Sequence, residues 1–186
     1  MSLNDQLHKQ RSLFPEECLL KEIANQPRLS IGIPKENASI ETRLALTPEG
    51  VAIVTEEGHS VYVERGAGEP MSYSDLQYSE AGAFLVDSPQ DAFSADIVIK
   101  ITPPTLDEIN CMNDHASIFS MLQLSNLSTE SIKAMMSKKL NAIAYELIRD
   151  EQKGFPVVSS ISEIEGNTAI TLIAELMSNQ HGGKGL

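Results

Sequence analysis

The sequence predicts an α/β fold, a mostly parallel twisted sheet with helices on both faces. Three observations carry that expectation. Short β-branched runs alternate with segments that open on helix-capping residues, the rhythm of strand–helix–strand crossovers. One run, Asp96-Ile97-Val98-Ile99-Lys100-Ile101, is almost continuously apolar, as a strand covered on both faces should be. The composition, 41% apolar and 22% charged over 186 residues, is that of a folded chain sized for one domain plus an appendage. A domain of about 150 residues buries roughly 70% of its unfolded surface, so no covalent staple is needed.

Residues 1–28 stand apart as an N-terminal helical extension. Leu13, Phe14, Leu19, Leu20 and Ile23 can form one apolar stripe beginning after Pro15. Such an arm would dock on the domain or on a partner subunit, and a partly ordered leader fits the same residues. The main domain is expected over 29–160. Leu29 to Ile33 reads as a strand ended by Pro34. Thr47-Pro48-Glu49 reads as a helix start, with a capping hydroxyl, a proline at the first helical position and an acid at the positive end. Gly58 suits the left-handed position after that helix. Ser60 to Val63 alternates as a second strand, and Gly66 and Gly68 mark a turn. Asp75 to Glu80 is a short helix closed by Gly82, and Phe84 to Val86 a brief strand.

The strand at 96–101 is stopped by Pro103 and Pro104. Ala116 to Leu122 is the next strand. Ser128 or Thr129 caps a helix running to about Lys139, and Asn141 to Tyr145 is a further strand. Ser162 to Glu165 has capping-box spacing and is read as the start of a helix reaching about Met177. Residues 161–186 are thereby expected to be a connecting helix and the truncated link to a further domain. The arrangement is a three-layer, flavodoxin- or Rossmann-like architecture.

Charge and motifs narrow the function classes. Lys and Arg total 14 against 26 Asp and Glu, a net charge of −12. That balance argues against a phosphate backbone or an acidic membrane surface as partner. The chain lacks an apolar run near the ~20 residues of a membrane span, and residues 1–10 lack the apolar core of a signal peptide, so a cytoplasmic protein is expected. Cys18 and Cys111 form no disulfide framework. His8, His59, His115 and His181 have no ligand spacing to one another or to a cysteine, so no metal site is expected. There is no Gly-x-Ser-x-Gly elbow and no Gly-x-Gly-x-x-Gly fingerprint. Gly183-Lys184-Gly185 lacks the Ser or Thr of a phosphate loop.

Ligands of open α/β sheets bind at the carboxyl ends of the strands. That rule selects two cations. Lys100 ends the most apolar strand, and Arg43 lies between the first strand and the helix at Thr47. Together they suit a small carboxylate. Both also admit a plainer reading: a strand-terminal lysine reaching water along its apolar stem, and an arginine paired with a carboxylate of its own chain.

The motifs resemble a known family. Ile31-Gly32-Ile33-Pro34-Lys35-Glu36 and Glu41-Thr42-Arg43-Leu44-Ala45-Leu46-Thr47-Pro48 are similar to the opening of alanine dehydrogenases and of the first domain of nicotinamide nucleotide transhydrogenases. Gly58-His59-Ser60-Val61, Glu64-Arg65-Gly66-Ala67-Gly68, Ala95-Asp96-Ile97-Val98-Ile99-Lys100, Ala142-Ile143-Ala144-Tyr145-Glu146 and Ser162-Glu163-Ile164-Glu165-Gly166 continue it in order. Coverage runs from about Leu29 to Leu186, and the alanine dehydrogenase branch fits better. The resemblance implies the substrate-side domain of an NAD-dependent enzyme converting L-alanine, NAD and water to pyruvate, ammonia and NADH. It implies a small 2-oxo or 2-amino acid as substrate and a homo-oligomer, hexamer or dimer. NAD would be held mainly by a second domain that this chain lacks, so the chain alone is expected not to turn over.

By the same resemblance, Arg43 and Lys100 bind substrate, Lys100 polarises the carbonyl or imine, and Ile161 and Ser162 lie near the nicotinamide. Gln123 stands where the family carries a catalytic histidine, and Thr102-Pro103-Pro104 where many relatives have Lys-Glu-Pro. Glutamine hydrogen-bonds but exchanges no proton near neutral pH. The alternatives are the NAD-side domain of a proton-translocating transhydrogenase, or a non-enzymatic module binding a 2-oxo acid.

Overall fold

The computed structural model describes residues 27–152 and 154–185. The helical arm expected over 1–28 lies almost wholly outside them. Six strands form one sheet: β1 (Ser30–Ile33), β2 (Ser60–Glu64), β3 (Phe84–Val86), β4 (Ile97–Ile99), β5 (Ser117–Ser120) and β6 (Asn141–Ala144). Their order is β3-β2-β1-β4-β5-β6, and every pairing is parallel. Each consecutive pair of strands therefore needs a crossover, and a helix supplies one each time. These are α1 (Pro48–Glu56), α2 (Asp75–Glu80), α3 (Pro89–Phe93), α4 (Leu106–Cys111) and α5 (Thr129–Ser137). The long helix α6 (Pro156–Met177) follows β6.

Side-chain parity along the strands separates two cores. Ile31, Ile33, Val61 and Val63 point to one face and pack with Val51 of α1 and Tyr78 of α2, joined by the half-buried Ile97 and Ile99. Val98 and Ile118 point to the other face, with Phe93 of α3 and Met112 beyond α4. Both faces are covered, as the near-continuous apolar strands require. Gly32 shares the second face. A Cβ there would run into the carbonyl oxygen of Ala92, so the glycine permits the close seat of α3 on the sheet.

The capping chemistry read from the sequence is in place. Thr47 accepts from the Gly50 N–H at 3.3 Å with Pro48 at the first position, and Gly58 follows α1 at φ +93°. Ser74 and Gln77 form a reciprocal capping box on α2, and Gly82 follows it at φ +90°. Ser128 caps α5.

Three expectations change. The strand at 96–101 is shorter, spanning Ile97–Ile99: the Lys100 N–H still donates to the Phe119 carbonyl at 3.0 Å, and the chain bends at Ile101 and Thr102 ahead of Pro103. Two helices join those expected, α3 between β3 and β4 and α4 between β4 and β5, each too short to show a period in the sequence. Helix α6 begins at Pro156, six residues before Ser162. Pro156 occupies its first turn, where a missing N–H costs nothing, so the chain becomes helical earlier than the Ser162–Glu165 spacing suggested. Ser162 is consequently mid-helix, and the expected division at 160/161 falls inside α6.

Candidate active site

The strand order reverses between β1 and β4, since β1 connects to β2 on one side while β4 continues to β5 on the other. Crevices at such a switch point are where doubly wound sheets take their ligands. A cavity of about 470 Å³ lies there, with Arg43, Lys100, Thr102, Glu108, Met121 and Gln123 in its wall. Arg43, Lys100 and Gln123, separated by 80 positions in sequence, thus meet on one cleft.

Lys100 forms its floor. Its parity puts it on the face of Phe93, whose ring centre lies 5.9 Å from the ammonium, and its side chain is 3% exposed. The ammonium donates to both carboxylate oxygens of Glu108 at 2.9 Å. Glu36 stands on the other side at 4.0 Å. Glu108 is fixed by its place in α4. Its N–H bonds the Thr105 hydroxyl at 3.3 Å, and its Oε2 accepts from the Thr105 N–H at 2.7 Å, a capping box that also aims the carboxylate at Lys100. Glu36, after β1, accepts from the backbone N–H of Ile101 and from the Thr102 hydroxyl at 2.6 Å. One buried carboxylate therefore ties the ends of β1 and β4 together across the switch point.

Arg43 forms the wall. Its Nε and Nη2 donate to the two oxygens of Glu41 at 2.9 and 2.8 Å, and its backbone N–H donates to Glu41 Oε1 at 2.9 Å. The partner of Arg43 is thus a carboxylate of its own chain. The pair holds the Glu41 carboxyl below its ordinary value and raises Arg43. Arg43 also lines an apolar groove of about 560 Å³ against Ile161, Ile164, Thr168 and Ala169, one face of α6.

Gln123 follows β5 at φ +44°, a left-handed conformation that side-chain-bearing residues rarely adopt. Glu146, from the end of β6, holds it there by accepting the Gln123 N–H at 2.7 Å, and Asn126 bonds both its carbonyl and its side-chain oxygen. The other oxygen of Glu146 is buried and has no partner among the described residues. Burial pushes the neighbouring Tyr145 hydroxyl up to about 12, with Glu36 adding to the shift. A small pocket of about 130 Å³ joins Met121, Tyr145 and Glu146 to Ile161 and Ser162 of α6. Ile161 and Ser162 thus border the cleft region without touching Lys100's ion pairs.

Sequence reasoning missed Glu36, Glu41, Glu108 and Glu146 as parts of the site. The signals were present. Thr105 to Glu108 has capping-box spacing, and Glu41 precedes Arg43 by two residues. Among the described residues no group of three His, Cys, Asp or Glu side chains could hold a metal ion. No described helix is long and apolar enough to cross a membrane.

The sheet order and the cleft at its switch point define a doubly wound α/β domain with a ligand site built from strand-end residues. The chain belongs to the family described as alanine dehydrogenase/PNT, N-terminal domain, whose model matches residues 32–165. It is 35% identical over 157 residues to an alanine dehydrogenase of Methanococcus maripaludis, covering 84% of this chain and 42% of that protein. An alanine dehydrogenase of Staphylococcus saprophyticus is 33% identical over 156 residues, with the same coverage. Among solved structures, an L-alanine dehydrogenase superposes at a TM-score of 0.78 with 33% identity, over 84% of this chain and 43% of that one. A transhydrogenase from Sinorhizobium meliloti matches at 0.60 with 31% identity, over 66% of this chain and 35% of that one. The chain spans about 42% of the length of the curated relatives it matches.

Proposed function

We propose that this chain is the substrate-side domain of an NAD-dependent alanine dehydrogenase. The supporting observation is the convergence of Arg43, Lys100 and Gln123 on the switch-point cleft, in a chain whose relatives bear that name. In this reading Arg43 clamps the carboxylate of L-alanine or pyruvate. Lys100 holds a positive charge beneath the reacting carbon. An ammonium has three N–H donors, and Glu36 at 4.0 Å lies beyond hydrogen-bond distance, so Lys100 keeps a donor for the carbonyl or imine. As negative charge grows on that group, a fixed cation in a covered site stabilises it. Gln123 orients the substrate through its carboxamide and moves no proton.

NAD, when bound, supplies the hydride acceptor. Ile161, in the apolar face of α6 beside Arg43, and Ser162 fit the flat, amphipathic edge of a nicotinamide. The remainder of the nucleotide would be held outside this chain, which has no glycine fingerprint for it. In the same reading the protein is cytoplasmic and assembles as a homo-oligomer, hexamer or dimer.

The test follows NADH oxidation with pyruvate and ammonia in the full-length protein, beside a Gln123→His variant. A clear rate in the unaltered protein is expected. Silence there with a gain in the variant would mean that the scaffold binds but has given up proton transfer. Silence in both would end the alanine dehydrogenase reading in favour of another 2-oxo acid as substrate or of a binding role.

A further inference from the structure

The Arg43–Glu41 pair uses only part of the guanidinium. Arginine has five N–H donors arranged on two fork-shaped edges. Glu41 takes the side edge, through Nε and Nη2. Nη1 has no hydrogen-bond partner among the described residues, so the end edge, Nη1 with the second N–H of Nη2, stays available. The burial is unequal in the same sense. The Glu41 side chain is 11% exposed and that of Arg43 is 45% exposed. A covered anchor therefore holds an uncovered tool. A third bond, from the Arg43 backbone N–H, ties the same carboxylate to the main chain and limits rotation of the pair as a unit.

From this geometry we infer that Glu41 is a positioning residue: it fixes the guanidinium plane of Arg43 so that the end edge presents two parallel donors to the carboxylate of a small ligand. The inference rests on the reading of Arg43 as the carboxylate clamp. A flexible arginine loses side-chain freedom when it binds a ligand. Glu41 has already removed that freedom. The ligand and Glu41 then bind opposite edges of one cation and do not exchange.

The alternative, a Glu41 that occupies the substrate's place and must be displaced, predicts the opposite signs. The experiment uses the 186-residue chain, titrated with pyruvate, L-alanine and acetate, with the Arg43 Nε–Hε resonance followed by NMR. Pyruvate is expected to bind without moving that resonance, because Glu41 keeps its edge. Glu41→Ala is expected to weaken binding about tenfold or more. Glu41→Gln, which still offers one oxygen to Nε–H, should retain most of the affinity. Arg43→Lys, which keeps the charge and loses the fork, should lose it.

Unchanged melting temperatures across the Glu41 variants separate positioning from misfolding. A shift of Nε–Hε on binding, or tighter binding in Glu41→Ala, overturns the inference. If only acetate shows the Glu41 dependence, the positioning role stands and the alanine dehydrogenase reading falls. If no probe binds the unaltered chain at 50 mM, the positioning role falls, while the NADH rate in the full-length protein decides the dehydrogenase reading separately.

Discussion

The floor and the wall of the cleft solve one problem in opposite settings. Each holds a cation with a two-oxygen carboxylate grip at 2.8–2.9 Å, Lys100 on Glu108 and Arg43 on Glu41. The Lys100 side chain is 3% exposed and that of Arg43 is 45% exposed. Equal distances therefore do not mean equal energies. A buried pair has lost its water, and removing one partner strands the other at high cost. The Arg43 pair, its carboxylate covered but its guanidinium open to water, is screened on the cation's side and its net worth is smaller. The floor thus serves the architecture of the switch point, while the wall serves orientation.

The largest effect should come from the floor. Lys100→Met leaves Glu36 and Glu108 facing each other without a counter-charge, and should destabilise the chain by about 3–5 kcal/mol in urea unfolding. The double variant Lys100→Met/Glu108→Gln should recover part of that loss. Recovery would show that the cost lies in the stranded carboxylate rather than in lost packing. Glu36→Ala comes next. It leaves the half-buried Ile101 N–H and Thr102 hydroxyl without their acceptor, at about 1–2 kcal/mol. Thr105→Ala removes the cap that aims Glu108 and should cost about 1 kcal/mol. Glu41→Gln, at the wall, should change stability by less than about 1 kcal/mol. A Glu41 loss as large as that of Lys100 would break the comparison.

Acid should act through two carboxyls, Glu41 at the wall and Asp96 just ahead of β4. The Glu41 carboxyl is held below its ordinary 4.5 by Arg43, and that of Asp96 below 3.8 by the hydroxyl and N–H of Ser30. A carboxyl with a depressed folded value binds fewer protons folded than unfolded. Its stabilisation is complete above the ordinary value and is lost as pH falls through the folded one. Unfolding free energy should therefore fall below about pH 4.5, with a smaller slope in Glu41→Gln. At the alkaline end the sign reverses. Tyr145, raised to about 12 by burial and by Glu36, stabilises the fold below pH 10 and gives that contribution up between 10 and 12. Tyr145→Phe should flatten that limb of the pH–stability curve.

Much of this architecture was legible because it is local. Thr47-Pro48 and Ser74 with Gln77 carry their helix starts in a few adjacent residues, and Gly58 and Gly82 mark two ends. The strand at Ile97–Ile99 betrays its double burial by composition alone. What stayed hidden depends on distance. The bonds of Glu36 to Ile101 and Thr102 span 65 and 66 positions, and a lone glutamate after a strand gives no hint of them. Glu146 reaches Gln123 across 23 positions for the same reason. The early start of α6 is hidden because a lone proline at 156 marks a helix opening only once the first turn has formed around it. Arg43 and Lys100 were found through the strand-end rule, and their carboxylate partners needed the folded chain.

Gly32 carries no side chain, yet it sets how closely α3 seats on the sheet. Its bare backbone lets the Ala92 carbonyl settle against β1, which draws α3 down and seats the Phe93 ring beneath the Lys100 ammonium. One methyl group at position 32 would lift that helix like a shim under a hinge plate. The Phe93 ring would then shift under the Lys100 ammonium without any change in either residue. The seat of the Phe93 ring beneath the Lys100 ammonium is written in an atom that the chain leaves out.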